Sequence, residues 1–144
     1  MTYGIEDGNG NELSTGYSRE IEVERAAQDA ANRLGRSVYW YEDGEDGWQE
    51  EVDPDFSVEA SVATRSETKG GMNVHLTLRL GERVIDGEAA LRLDHRGWSS
   101  WGAPDNWLSS KIVEALRPLS PTAYRAVCTE IELAARVECE AAEQ

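Results

Sequence analysis

Four places in the 144-residue chain carry side chains that could do chemistry, and acidic groups dominate them. Residues 42–55, EDGEDGWQEEVDPD, hold eight carboxylates and no Lys or Arg. Carboxylates at that density either hold a cation or present a negative surface to a basic partner. Counted as a calcium loop from Glu42, the third position is Gly44, and the first and last ligands are the wrong acids. Asp7, Asn9 and Asn11 also have calcium-loop spacing, but Glu12 stands at the sixth position and Ser18 at the twelfth. The stretch therefore reads as a tight turn. Asp94-His95 with Ser99 and Ser100 suggests a hydrolase, yet triad members usually come from separate elements, and no GxSxG motif is present. The fourth place is the loop RGWSSWGAPDNW with Trp98, Trp101 and Trp107. DGNGNE lacks both phosphate-loop patterns, and two His and two Cys, widely dispersed, make no zinc site. We expect no catalytic residue, no metal and no cofactor; the protein reads as a binder, not an enzyme.

Charge narrows the class of partner. The net charge is −14, and residues 1–55 carry 15 acidic against 4 basic side chains, whereas residues 56–144 carry 13 against 10. Such a field repels nucleic acid and anionic membranes, so neither is an expected direct partner; basic proteins are favoured. No apolar run reaches the roughly 20 residues of a membrane helix, and the acidic start is unlike a signal peptide. The expected location is the cytoplasm, where Cys128 and Cys139 would stay reduced.

The elements that must position these groups follow from periodicity. Residues 3–17 read as a hairpin around Asp7-Gly8-Asn9-Gly10. Ser18 would cap a helix over 19–34, whose apolar face is Val23, Ala26, Ala27, Ala30 and Leu34, with Gly35 as its stop. RSVYWY at 36–41 is a strand, with Val38 and Trp40 on one side and Tyr39 and Tyr41 on the other. Residues 56–95 read as a three-stranded antiparallel meander, turning at Lys69-Gly70-Gly71 and Gly81-Glu82. Its core faces are Phe56, Val58, Ala60, Val62 and Thr64, then Met72 to Leu80 in alternation, then Ala89, Leu91 and Leu93, with a bulge at Asp86-Gly87. Asp105 would cap a helix over 106–117, and Ser120-Pro121 would open the last helix, 121–139. The expected fold is one α+β domain over 1–144. An acidic ββαβ half, 1–55, precedes a βββαα half, 56–144. Its antiparallel sheet packs against helices 19–34, 106–117 and 121–139, the first and last covering one face of the meander.

Residues 3–41, with the DGNGN hairpin, the AAQDAANRLG helix and the VYWY strand, resemble the leading segments of small accessory proteins of phages and mobile elements, anti-CRISPR proteins among them. That resemblance implies a protein that inhibits a host nucleic-acid-processing complex, its carboxylates standing in for phosphates on a basic host protein or ribonucleoprotein. The residues expected to meet the partner are Glu42, Asp43, Glu45, Asp46, Glu50 and Glu51, with Trp48 as anchor and Trp98 and Trp101 as a second aromatic patch. The alternative is a bacterial accessory or immunity-type protein whose meander edge pairs with a second copy or with a toxin.

Overall fold

The computed structural model describes residues 2–44, 48–65 and 71–143. It is α+β, with two four-stranded antiparallel sheets and helices packed against them. The chain divides into two compact units: residues 1–55 with 80–83 and 118–123, and residues 56–79, 84–117 and 124–144.

In the first unit, β1 (Tyr3–Asp7), β2 (Glu12–Tyr17), β3 (Val38–Glu42) and β4 (Glu50–Val52) form a sheet in the order β2-β1-β3-β4. The hairpin closes as its turn residues require. Asp7 Oδ1 accepts from the Asn9 and Asn11 amides at 2.8 and 3.0 Å, and Gly10 sits at φ 84°. Helix α1 (Glu20–Leu34) packs on β1, β2 and β3, burying Val23, Ala27, Ala30 and Ala31 against Ile5, Val38 and Trp40. Alanine's small side chain lets the helix backbone lie close to the strands. The hairpin, β3 and β4 make a sheet of their own, distinct from the meander's, and α1 packs on it. The cap differs from the expected one. Arg19, not Ser18, is the N-cap and makes no side-chain cap bond, so Glu20 and Glu22 in the first turn supply the favourable charge at that end. Gly35 ends the helix at φ 65°, its amide donating to the Ala31 carbonyl at 2.8 Å.

Two short segments complete this unit. Gly81, at φ 59°, donates to the Asp55 carbonyl at 2.6 Å, and the Glu82 amide donates to the Asn32 carbonyl at 2.7 Å. Ser120 caps the last helix, its Oγ accepting from the Ala123 amide at 3.1 Å.

The second unit contains β5 (Phe56–Arg65), β6 (Gly71–Leu80), β7 (Arg83–Asp94) and β8 (Gly97–Ser99), paired in that order, with α2 (Ser110–Leu116) and α3 (Pro121–Ala142). The turn expected at Lys69-Gly70 lies outside the described residues. Met72, Val74, Leu76, Leu78 and Leu80 of β6 are all buried, which is the alternation the sequence shows. Leu93, expected in the core, is 51% exposed at the end of β7. β7 runs unbroken from Arg83 to Asp94, and the burial of Ile85, Ala89 and Leu91 keeps one parity through Gly87. Glycine is needed there for space: an added Cβ would lie 2.5 Å from Ile112 Cγ1 of α2. The irregular strand is instead β5, where Val62 takes φ 47° and is 69% exposed, so Ala63 rather than Val62 and Thr64 turns inward.

Helix α2 starts at Ser110, four residues later than expected, and Asp105 lies in a single 3-10 turn, Pro104–Asn106. The intervening backbone is tied to β7. Ala90 N donates to the Trp107 carbonyl at 2.8 Å and Ser109 N to the Glu88 carbonyl at 2.9 Å, and that extended pairing excludes helix. Helix α3 runs past 139 to Ala142, and Arg136 Nε on it donates to the Trp98 carbonyl of β8 at 2.9 Å.

Candidate functional site

Strand register in the first unit assembles acids that are far apart in sequence. Glu12 of β2 stands opposite Glu6 of β1, Glu6 opposite Tyr39 of β3, and Tyr39 opposite Glu51 of β4. Residues in register share a face, so these four make one row across the sheet at strand spacings of about 4.8 Å. The row lies on the side opposite the Ile5, Val38 and Trp40 face that α1 covers. Tyr41 extends it, its ring lying over Gly4: a Cβ there would be 2.5 Å from the Tyr41 hydroxyl. Gln49 Nε2 donates to Glu6 Oε1.

The local potential on this face is negative. Tyr39 is held above the ordinary tyrosine value by partial burial, then by Glu51 and Asp53, with Arg36 opposing. Tyr41 is raised by burial, then by Glu12, Asp43 and Glu6. Among the described residues, Glu6, Glu12, Glu42, Asp43, Glu50 and Glu51 form no ion pair with a basic side chain.

An aromatic cluster closes the other side of the sheet. Trp40 is buried, with Tyr3 edge-on at 5.9 Å and Trp48 edge-on at 4.9 Å between ring centroids. Trp48 is still 42% exposed, so it lids the core and faces solvent together. Glu42 stands opposite Tyr3, and its Oε1 is buried without a hydrogen-bond partner among the described residues. Asp43 is fixed to Thr2, by its amide to the Thr2 carbonyl at 2.8 Å and by Oδ2 to the Thr2 hydroxyl at 2.5 Å. Glu50, opposite Trp40, is exposed. Glu45 and Asp46 lie outside the described residues.

The last two acids of the stretch serve the fold. Asp53 Oδ1 accepts from Ser37 Oγ at 2.6 Å and Ser120 Oγ at 3.0 Å, and Ser37 and Ser120 are both buried. Asp55 exchanges two bonds with the Asn32 amide side chain, at 3.0 and 2.8 Å. Glu51 is raised above the ordinary glutamate range, chiefly by partial burial and further by its neighbour Asp53. A raised folded-state value means that Glu51 contributes most below its unfolded value and that this contribution is lost as pH rises through the folded value. Glu51→Gln should therefore raise the urea midpoint at pH 7, and that advantage should shrink or reverse near pH 4. An equal difference at both pH values would contradict the assignment.

The other sequence candidates resolve differently. Both oxygens of Asp7 are engaged by Asn9 and Asn11, and those bonds hold its carboxyl below the ordinary aspartate range. No three His, Cys, Asp or Glu side chains converge as a metal site among the described residues. Millimolar calcium should leave the melting temperature unchanged; a rise of several degrees would show that the loop opens for a cation.

Asp94 is a turn residue, accepting from the Arg96 amide at 2.7 Å, and Ser100 donates to Glu132. Trp98 is only 3% exposed, so its ring fills the core and is withdrawn from the expected aromatic patch. Trp107 is buried as well, and Trp101 is half-buried with the Arg92 guanidinium 3.9 Å from its ring centre.

Comparison with protein-family models, with curated proteins and with solved structures returns no match. Among the described residues, no helix is long and apolar enough to cross a membrane. Sequence reasoning overlooked Glu6, Glu12, Tyr39 and Tyr41 as parts of one surface. The signal was present in the outward parity of Tyr39 and Tyr41, but it needed the pairing register to become a site.

Proposed function

We propose that this protein is an acidic binding module that docks the carboxylate-bearing face of its N-terminal sheet on a basic, nucleic-acid-binding surface of a host protein or ribonucleoprotein, and so inhibits it as anti-CRISPR proteins do. The observation that supports this reading is the row Glu12, Glu6, Tyr39 and Glu51, with carboxylates unpaired by any basic side chain among the described residues. Carboxylates spaced on a rigid sheet offer Arg and Lys the charge-assisted hydrogen bonds that phosphates would, and they accelerate association through their field. Tyrosines between them add contact area at small entropic cost. The test is target-DNA binding by purified CRISPR effector complexes with the protein added. The expected result is loss of DNA binding at fixed stoichiometry, relieved by salt. Undiminished DNA binding across the complexes would remove the inhibitory role.

A second reading, an accessory or immunity-type protein that pairs with a second copy or a toxin, is favoured by β5, the outermost strand of its sheet. The left-handed Val62 interrupts that edge, leaving 56–61 as the stretch able to extend the ladder. A dimer in sedimentation that a proline within 57–61 dissociates would support it.

A further inference from the structure

The side of the N-terminal sheet away from the carboxylate row carries an aromatic cluster. Tyr3 and Trp48 both stand edge-on to the buried Trp40, and Trp48 is 42% exposed. Glu42 is the cross-strand neighbour of Tyr3. One Glu42 oxygen is buried with no hydrogen-bond donor among the described residues. Burial raises the Tyr3 phenol above its ordinary value, and the charges of Glu42 and Glu20 raise it further. An exposed indole and a carboxylate on one side of a sheet together favour a cation: the ring quadrupole attracts it, and the carboxylate supplies the opposite charge.

We infer that Tyr3, Trp48 and Glu42 form a subsite for one guanidinium group, an arginine side chain of the basic partner. A planar guanidinium can stack on an indole and bond a carboxylate together, whereas an ammonium serves as a point charge. This inference rests on the acidic-module reading and adds to it a chemical preference that the carboxylate row alone lacks. Charge supplies affinity for any polycation; the aromatic notch selects arginine.

The test uses labelled octaarginine and octalysine peptides, with binding followed by fluorescence anisotropy at low salt. Wild type should prefer octaarginine by about fivefold or more, the scale of one cation–π contact. Glu42→Gln and Trp48→Leu should each remove most of that preference, whereas Trp48→Phe, which keeps a ring over Trp40, should retain part of it. Urea midpoints identify any variant that has lost its fold, and Glu42→Gln tests the subsite independently of ring packing. Equal binding of both peptides by wild type, or a preference that survives Glu42→Gln and Trp48→Leu, overturns the subsite. In that case the module reading stands if Glu6→Gln/Glu12→Gln/Glu51→Gln weakens both peptides. Failure of wild type to bind either peptide at low salt overturns the module reading itself.

Discussion

Leu76→Asp is expected to destabilise the protein by about 4 kcal/mol or more, the cost of burying an unpaired charge among apolar side chains. Leu76 is fully buried at the centre of β6, between Val74 and Leu78, which are also fully buried. A small domain is stable by only about 5–15 kcal/mol, so this loss is a large fraction of the total and should lower the urea midpoint steeply. Leu93→Asp is the control, because Leu93 shares the alternating pattern but is 51% exposed; its cost should stay near 0.5 kcal/mol. Urea unfolding of both variants checks the pair. Similar midpoints would mean that β6 is not the core strand.

Gly81→Ala is expected to cost about 2–4 kcal/mol, from left-handed strain together with overpacking. Gly81 lies at φ 59°, and an added Cβ would sit 2.1 Å from the Asn32 carbonyl oxygen and 2.4 Å from Asn32 Cα, both backbone atoms at the end of α1. Neither can move without breaking the Glu82 amide bond to Asn32. Gly10→Ala separates the two causes: Gly10 has φ 84° but open space around it, so only the backbone term, about 1 kcal/mol, should appear. Equal urea midpoints for the two glycine variants would deny the close approach.

These two positions also mark what the sequence revealed and what it concealed. Met72 to Leu80 alternates so regularly that β6, its buried face and its antiparallel setting were legible at once. Gly81 was legible as a turn, but its seat on Asn32, 49 residues earlier, is a tertiary contact that no local pattern encodes. β4 was hidden by composition. Glu50-Glu51-Val52 carries little strand propensity, and it is tolerated because an edge strand benefits from charge. The start of α2 failed for a related reason, since 107–109 pairs with β7 where propensity suggested helix. For the candidate site, the acidic run showed its charge but not the separate roles of its members. Asp53 and Asp55 hold the fold, Glu51 joins the carboxylate row, and Glu42 stands opposite Tyr3 of the aromatic cluster. Trp48 could be read as core lid or contact anchor, and its position on Trp40 with 42% exposure is compatible with both.

The carboxylate row is tested most directly by the association rate with a basic nucleic-acid-binding complex, measured against salt for wild type and for Glu6→Gln/Glu12→Gln/Glu51→Gln. The substitutions keep shape and remove three charges, so the variant should fold at least as well as wild type. At about 0.01 M salt, where the screening length is about 30 Å, it should associate roughly tenfold more slowly. The two rates should converge near 1 M, where that length falls to about 3 Å. Equal rates at low salt, with the variant still displacing nucleic acid from the complex, would contradict the account.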